Sequence, residues 1–359
     1  MSENLKSACE QFVPGHLPQK AGEEFALIAD YCRENDFAAD VYGAGDLINS
    51  FELKIADLLG FGAACFMPSG TMAQQIALKI YAGKSQNKSF IIHATSHLEL
   101  HEQHAYAHLS RLKSVIVGDE NRQLTAQDIE GVAARFSTVI IELPAREIGG
   151  QLPDWEELEA TKETTKKRNV FLHMDGARLW ETKAFYQKSY AEICESFDSV
   201  YVSFYKGIGA MTGAMLVGDA DFIEESRVWL RRFGGNLYQL HPYVASAAMR
   251  FDRALGQMPK YLKCAKEVYE ILRSIKGLSF CPNPPQVNMF HLYFDSTVEK
   301  LTRARDEIAS EDKIWTANRF QKTALENLCY TEIYVGEGLL EIDDGELFDV
   351  FSKLINLSK

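Results

Sequence analysis

The hydrophobic and polar positions along the first 250 residues predict strands and helices that follow one another in turn. Short apolar runs bounded by turn residues predict strands, and apolar residues spaced three or four apart predict helices. The predicted strands are 63–67, 90–93, 115–117, 138–143, 170–174, 200–204 and 214–217. The predicted helices are 22–35, 47–59, 69–81, 97–108, 125–136 and 154–167, with one more starting at Leu179.

Repeated strand and helix units of this kind predict an α/β fold with a largely parallel sheet and helices on both faces. Ligands of such sheets bind at the carboxyl ends of the strands. Ser69, Asp175 and Lys206 each come at or just after the end of a predicted strand. We therefore expect these three residues to meet at one edge of the sheet.

The rest of the chain predicts a second, smaller α+β domain. A helical stretch over 241–276, interrupted near 256–259, precedes strands at 287–294 and 330–335 and helices at 298–310 and 345–357. Residues 1–20 contain Pro14, Gly15 and Pro18 and are predicted to be an irregular arm that wraps over another part of the molecule. The predicted domains are thus an arm at 1–20, a large domain at 21–250 and a small domain at 251–359.

The composition of the chain limits which partners the protein can bind and where it can be located. The chain has 359 residues, 46% of them hydrophobic and 25% charged, and a net charge of -12 that disfavours binding to nucleic acid or an anionic membrane. No apolar run is long enough to predict a membrane span or a signal peptide. Seven cysteines without a CxxC pair indicate reduced thiols rather than disulfides or a metal site. The sequence therefore predicts a soluble, cytoplasmic protein.

The stretch SVYVSFYKGIGAMTGAMLVG places Lys206 directly after a buried strand and before Gly207 and Gly209, which favour a sharp turn. Burying an unpaired ammonium group is costly. Desolvation and nearby cations would lower the pKa of such a lysine, as a Schiff-base amine requires. The alternative is a lysine in a solvated loop.

Two further stretches carry complementary groups. Ser69, Gly70 and Thr71 begin a predicted helix, where they form either an ordinary cap or an anion site. Asp175 ends an apolar strand and needs a cationic partner, which is either a protonated pyridine nitrogen or Arg178. Ser203 lies three residues before Lys206, so its hydroxyl could reach the same anion. An amine, a buried acid and an anion site together fit pyridoxal phosphate.

Five histidines lie close together in the sequence: His93, His97, His101, His104 and His108. Several of them are four residues apart, so a metal site on a helix has to be considered. No other cluster supplies ligands, and we expect no metal. We interpret His97 as a ring that stacks on the cofactor. His104 and His108 fit better as residues of a surface helix.

Several motifs occur together and in a characteristic order: DVYG from Asp40, PSGTMAQ from Pro68, His97 with Glu102, HMDGARLW from His173, and SFYKGIGAMTGAMLVG. With these motifs the chain resembles the threonine aldolase and β-eliminating lyase family, over roughly residues 36–250. The resemblance implies pyridoxal phosphate and the fold type I of aspartate aminotransferase. That fold has a mostly parallel seven-stranded sheet in a large domain and a smaller α+β domain.

The resemblance also implies roles for individual residues. Lys206 would form the Schiff base with the cofactor, Asp175 would hold its ring nitrogen, and His97 would stack on the ring. The residues implied to contact the phosphate are Ser69, Gly70, Thr71 and Ser203. Arg178 would contact the phenolic oxygen or the substrate carboxylate, and Tyr42 would border the site. Arg232, next to Arg231, would contact the cofactor of a neighbouring subunit. The family's shared active sites imply a homodimer or a homotetramer.

Three features depart from the family pattern. Where threonine aldolases read ENTH, this chain reads ELPA from Glu142, so their second active-site histidine is replaced near Ala145 or Arg146. The stretch TEIYVGEGLLEID lacks the carboxylate-binding arginine of the family, and the N-terminal RSDT-like segment is absent. Arg146 is the predicted substitute for the missing cation.

The predicted reaction is cleavage of a β-hydroxy-α-amino acid, such as L-threonine or L-allo-threonine, to glycine and an aldehyde. His97, or a water that it holds, is the predicted base. Alternatives with the same cofactor are β-elimination, racemisation and transamination. Two readings without such chemistry also stay open: a cofactor-binding protein without turnover, and a protein that binds another phosphorylated ligand.

Overall fold

A computed structural model describes residues 2–17 and 20–359. The strands are β1 (Gln11–Phe12), β2 (Ala63–Met67), β3 (Ser89–His93), β4 (Lys113–Val117), β5 (Thr138–Glu142), β6 (Phe171–Gly176), β7 (Ser199–Ser203), β8 (Ala214–Gly218), β9 (Leu278–Cys281), β10 (Met289–Phe294), β11 (Ile314–Trp315), β12 (Gln321–Lys322) and β13 (Cys329–Tyr334).

The α-helices are α1 (Ser2–Ser7), α2 (Ala21–Glu34), α3 (Asp46–Leu59), α4 (Gly70–Ser85), α5 (His97–Leu100), α6 (Ala105–Ser110), α7 (Ala126–Glu130), α8 (Trp155–Lys167), α9 (Lys183–Tyr186), α10 (Tyr190–Cys194), α11 (Ala220–Arg232), α12 (His241–Leu272), α13 (Val298–Glu311), α14 (Glu337–Leu340) and α15 (Asp344–Leu357). Short 3-10 helices cover Arg146–Ile148 and Leu179–Glu181. Across residues 2–17 and 20–359, none of the helices combines the length and the apolar character that a membrane crossing needs.

The larger of two compact units contains residues 20–147 and 152–256 and is built on a seven-stranded sheet. The strand order is β2-β8-β7-β6-β5-β3-β4. Strands β4, β3, β5, β6 and β7 are mutually parallel, and β8 is antiparallel to both of its neighbours. The predicted mostly parallel sheet is therefore confirmed. Because β8 reverses the direction twice, β2 also ends at the edge where β7 ends.

The central strands form because most of their residues are apolar, and polar ones such as Ser199 and Ser203 are buried among them. All five residues of β7 and of β8 are buried, as expected for strands that are covered on both faces. Helices α4 and α11 cover one face, where Ile76, Ile80, Leu216 and Phe222 belong to one core cluster. This core fixes the position of the strand ends, which carry the candidate site.

Several predicted helices differ from the structure, and the one predicted to start at Leu179 is a 3-10 helix that ends at Glu181. The histidine-rich helix is interrupted between α5 and α6, where Gln103 and His104 have positive φ angles. The helix predicted for 125–136 starts at its Thr125–Asp128 capping box but ends at Glu130, before Gly131. The break predicted near 256–259 is wrong, because α12 continues through Pro259 with apolar residues buried along its length.

The smaller unit contains residues 148–151 and 257–359 and the N-terminal segment. Its main sheet is antiparallel in the order β12-β13-β10-β9. The N-terminal segment was predicted to be irregular but contains α1 and β1, and β1 pairs in parallel with β11. A bridge from Gly15 to Val335 extends this contact. Met1, Pro18 and Gln19 of the predicted arm lie outside the described residues.

Candidate active site

Lys206 lies just past the end of β7, in a tight loop that leads to β8. The Gly209 amide donates a 3.0 Å hydrogen bond to the Lys206 carbonyl, which closes the turn. Gly209 and Gly213 have φ angles of 74° and 112°, which a residue with a side chain rarely adopts. A Cβ atom at Gly213 would lie 2.4 Å from the Phe66 ring. The turn therefore depends on Gly209 and Gly213, whereas the sequence had indicated Gly207 and Gly209.

The start of α4 offers unpaired backbone donors. Ser69 is the N-cap, and its Oγ accepts the Met72 amide at 3.3 Å. The amides of Gly70 and Thr71 make no hydrogen bond to any described residue. A Cβ atom at Gly70 would lie 2.0 Å from the Tyr201 hydroxyl, so only glycine fits beside that side chain. This helix start can hold an anion through its backbone amides.

Asp175 and Glu142 end neighbouring parallel strands and lie side by side in the sheet register. Asp175 is 1% exposed, and its Oδ1 accepts the Ala177 amide at 3.1 Å. Glu142 is partly buried, and its two carboxylate oxygens accept the amides of His97 at 3.3 Å and Arg146 at 3.1 Å. Glu142 thus ties together the two loops that carry His97 and Arg146.

Both carboxyl groups have raised pKa values. Burial is the main cause for each, and the neighbouring Asp175 carboxylate raises the pKa of Glu142 further. The positive charge of Lys206 acts in the opposite direction on both acids. In such a buried site, fewer of these three groups are ionised than would be if each stood alone in water.

Lys206 is half-buried, and its ammonium group forms no ion pair with the described residues. Burial lowers its pKa, and Arg178 and Arg146 lower it further, while Asp175 and Glu142 raise it. The net direction is downward, which favours the unprotonated amine that a Schiff base requires.

His97 is held in its neutral form. Its pKa is lowered to about 4, chiefly by burial and also by the charges of Lys206 and Arg146. Glu102, five residues further on, is buried, and its pKa is raised to about 7 by burial and by Asp175. Hydrogen bonds from Thr71 and Gln75 partly offset that rise.

These side chains line one small cavity within the larger unit. Its lining residues are His97, Glu142, Pro144, Arg146, Glu147, Asp175, Ala177, Arg178 and Lys206. Five of the residues that the sequence singled out are thus brought together: His97, Arg146, Asp175, Arg178 and Lys206. In this lining Arg178 forms an ion pair of 3.2 Å with Glu181.

The donor set fits pyridoxal phosphate. Lys206 offers an amine of lowered pKa, and Asp175 offers a buried acid for a ring nitrogen. The backbone amides of Gly70 and Thr71 suit a phosphate group, and so does the Ser203 hydroxyl, which is buried without a hydrogen-bond partner among the described residues. Buried polar atoms without partners are rare in proteins, and a bound phosphate would satisfy these.

Two predicted residues lie outside the cavity lining. Tyr42 is 51% exposed and packs edge-on against the Tyr238 ring. Arg232 is exposed at the end of α11, with its guanidinium 4.4 Å from the centre of the Trp229 ring. Neither side chain reaches the candidate site of its own chain.

The histidine-rich stretch does not converge on one point. His101 pairs with Glu147 at 2.9 Å and His104 lies 3.6 Å from Glu99, in different directions. Within residues 2–17 and 20–359, no three side chains of the types His, Cys, Asp and Glu are placed to hold one metal ion.

The sequence reasoning missed two residues that shape the site. Glu142 was treated only as a motif marker, although an acid that ends an apolar strand gives the same signal as Asp175. Tyr201 was taken as a residue of an ordinary strand, yet its hydroxyl lies against Gly70. A tyrosine within an otherwise aliphatic buried strand is the signal that could have identified it.

The sequence profile of the β-eliminating lyase family matches residues 33–297. The chain belongs to this family. It is 40% identical to a solved protein of Listeria monocytogenes EGD-E that is described as a candidate L-allo-threonine aldolase, with a TM-score of 0.93 and 99% of each chain covered.

Two curated proteins agree with this membership in the β-eliminating lyase family. Aldolase vrtJ of Penicillium aethiopicum is 33% identical over 79% of this chain and 74% of its own length. Low-specificity L-threonine aldolase 1 of Arabidopsis thaliana is 26% identical over 75% of this chain and 78% of its own length. The predicted fold type, the pyridoxal phosphate cofactor and the lyase class are thereby confirmed.

Proposed function

We propose that this protein cleaves a β-hydroxy-α-amino acid of the L-threonine or L-allo-threonine type to glycine and an aldehyde. The observation that carries the proposal is the cavity in which Lys206, Asp175, His97 and two arginines converge. An amine, a base and cations for a carboxylate are the groups that this cleavage needs besides the cofactor. When bound, pyridoxal phosphate supplies the ring that stabilises negative charge on Cα of the amino acid.

Lys206 and Asp175 hold the cofactor. Lys206 would hold it through Nζ, whose lowered pKa keeps the amine reactive. Asp175 retains a proton on the cofactor ring nitrogen, because a buried carboxylate stabilises a cation beside it. The amides of Gly70 and Thr71, with the hydroxyls of Ser69 and Ser203, bind the phosphate.

His97 accepts the proton of the β-hydroxyl group as the Cα–Cβ bond breaks and the aldehyde carbonyl forms. A base must be unprotonated before it acts, and a pKa of about 4 leaves His97 neutral at physiological pH. The electron pair of the broken bond stays with Cα, which takes up a proton to give glycine. The His97 ring, which lines the cavity, would also pack against the cofactor.

Arg146 binds the carboxylate of the substrate. It lines the cavity, and its backbone is fixed by the hydrogen bond to Glu142. Arg178 lines the same cavity and is held by its ion pair with Glu181, and it would contact the phenolic oxygen of the cofactor or the carboxylate. A fixed carboxylate orients the amino acid and decides which bond at Cα breaks.

The active form is a homodimer or a homotetramer with shared active sites. Arg232 supports this assembly, because it is exposed and lies outside its own chain's cavity, where it is available to a neighbouring subunit. Tyr42 borders the shared site in the same way. The protein acts in the cytoplasm, which is consistent with seven free cysteines.

The test is an assay of the purified holoenzyme with L-threonine and L-allo-threonine, in which acetaldehyde and glycine are both measured. We expect the two products in equal amounts, and none from Lys206→Ala. Ammonia with a keto acid, or a racemised amino acid without aldehyde, would replace the aldolase by β-elimination or racemisation. Gel filtration of the same sample checks the assembly, and a monomer with full activity would contradict shared sites.

A further inference from the structure

Four buried polar side chains form a continuous hydrogen-bonded chain behind Asp175. The Tyr81 hydroxyl donates to Ser199 Oγ at 2.6 Å, and Ser199 Oγ lies 2.7 Å from His173 Nδ1. His173 Nε2 lies 2.8 Å from Gln74 Oε1. Gln74 Nε2 is buried without a hydrogen-bond partner in the described residues, and the Gln74 side chain lowers the pKa of the Asp175 carboxyl group.

This chain is rigid and dry. Tyr81, Ser199, His173 and Gln74 are each at most 2% exposed, and they come from α4, β6 and β7. The Tyr81 ring is stacked on Phe171 at 4.3 Å, which fixes the far end. Polar groups buried in this way have to satisfy one another, because water does not reach them.

The charge of Asp175 decides the direction of every bond in the chain. A carboxylate repels the oxygen of an amide, so Gln74 turns its Nε2 amino group towards Asp175 and its Oε1 towards His173. His173 then has to carry its proton on Nε2, and its Nδ1 can only accept. Ser199 therefore donates to Nδ1 and accepts from Tyr81. Any other tautomer would place two acceptors against each other at one of these contacts.

We propose that Tyr81, Ser199, His173 and Gln74 are positioning residues that keep Asp175 ionised and oriented towards the cofactor. The inference rests on the proposed contact between Asp175 and the ring nitrogen. Burial alone disfavours the Asp175 carboxylate, and the amide of Gln74, whose Oε1 is engaged by His173, lowers the pKa of Asp175 and opposes that effect. The more distant members act through His173, since each of them fixes the proton position of the next.

Paired substitutions of His173 provide the sharpest test, because the two amide side chains mimic different ring nitrogens. In His173→Gln the side-chain amide can donate to Gln74 from the position of Nε2. In His173→Asn the shorter amide takes the position of Nδ1 and cannot reach Gln74. Both variants remove the ring and keep an amide, so they differ by one methylene group and in whether the amide reaches Gln74.

The measurements are made on the holoenzyme with pyridoxal phosphate labelled with ¹⁵N in the ring. In the wild type we expect a protonated ring nitrogen, and a His173 imidazole with the proton on Nε2 in its own ¹⁵N spectrum. We expect His173→Asn to lose part of the ring protonation and to bind pyridoxal phosphate about tenfold more weakly. His173→Gln should stay within about twofold of the wild type.

Tyr81→Phe removes only the first donor, and it should reduce ring protonation less than His173→Asn does. Tyr190→Phe is the matched control, because the buried Tyr190 hydroxyl donates to the Trp180 carbonyl at 2.8 Å and lies outside the chain. It should leave the ring nitrogen unchanged. A His173 proton on Nδ1, or equal effects of His173→Gln and His173→Asn, would overturn the inference.

The same spectra separate this inference from the proposed function. An unprotonated ring nitrogen in the wild type would remove the proposed role of Asp175, whatever the His173 variants do. A protonated ring nitrogen that is insensitive to both His173 substitutions would leave the role of Asp175 standing and reject the relay alone. Circular dichroism of each variant confirms that the fold is retained.

Discussion

Two lysines in the larger unit, the buried Lys162 and the half-buried Lys206, have opposite surroundings. Lys162, on α8, is 4% exposed and forms a 2.8 Å ion pair with Glu159. Its ammonium group also lies 5.1 Å from the Trp155 ring centre and 5.7 Å from that of Phe197. Lys206, at the sheet edge, faces two acids and two arginines but forms no ion pair with the described residues.

The contrast shows how burial can either stabilise a lysine or make it reactive. The carboxylate and the aromatic faces around Lys162 compensate its ammonium group for the loss of water. Around Lys206 the arginines counteract the acids, and desolvation then lowers the pKa. A buried lysine is therefore a candidate nucleophile only when its surroundings leave the charge uncompensated.

Substituting each of the two lysines in turn gives the largest expected difference in kcat/KM. Lys206→Ala should lower kcat/KM by at least about a thousandfold, because the covalent attachment to the cofactor is lost. Lys162→Met should keep the activity within about twofold, because it changes only packing and one ion pair. Aldehyde release and the visible absorption of the cofactor measure both. Equal losses in the two variants would remove the distinction.

Substitution of Asp175, one of the acids that face Lys206, gives the next largest effect on kcat/KM. Asp175→Asn should reduce kcat/KM by about a hundredfold, because a neutral amide stabilises a protonated ring nitrogen less than a carboxylate does. Glu159→Gln, the matched change beside Lys162, should leave kcat/KM unchanged. The two variants are compared with steady-state kinetics and thermal melting. An active Asp175→Asn enzyme would show that the ring nitrogen is held in another way.

Acid should destabilise the sheet edge through His173. Burial lowers the pKa of His173 to about 3, below the value of about 6.5 in an unfolded chain. The unfolded state therefore binds more protons below pH 6.5, and stability is lost as the pH falls towards the folded pKa. The loss is about 2 kcal/mol at pH 5.

The check is urea unfolding between pH 5 and 8. His173→Gln should flatten the acid limb of the stability profile, while Lys162→Met should leave its slope unchanged. Glu102 acts in the opposite direction, because its pKa is raised to about 7 and its contribution falls as the pH rises from about 4.5 to 7. A profile of His173→Gln that is as steep as the wild type's would contradict the assignment to His173.

The smallest expected effect concerns Arg146, which lies at the rim of the acid and lysine group. Arg146→Ala should raise KM about tenfold with a small change in kcat, because it removes a carboxylate contact made before and during the reaction. Arg122→Ala is the control, since that arginine pairs with Asp128 away from the cavity. An unchanged KM for Arg146→Ala would rule out this residue as the carboxylate site.

The sequence predicted the parts that depend on local pattern. Apolar runs located the strands of the large sheet, and a parallel sheet places strand ends together, which is why Lys206 and Asp175 were found. The capping box at Thr125 is likewise a local pattern, because Asp128 follows three residues later. These features depend on a few neighbouring residues, so a single sequence contains them.

Features that depend on strand order or on distant contacts could not be predicted in this way. Glu142 lies beside Asp175 only because β5 and β6 are neighbours in register. The histidine-rich stretch keeps helical spacing, but contacts of His101 with Glu147 and of Glu102 with Gln75 accompany a break that the spacing does not reveal. The helix through Pro259 shows the reverse case, where tertiary burial sustains a helix that the local sequence disfavours.

The position of β2 has a consequence for folding during synthesis on the ribosome. As the edge strand of the seven-stranded sheet, β2 has β8 as its neighbour, and its residues Ala63 to Met67 pair with Ala214 to Gly218. The first strand of the large sheet to be synthesised is thus among the last to be paired. Until the segment that follows Lys206 has emerged, β2 presents an unpaired apolar edge, which makes the nascent chain dependent on protection from aggregation.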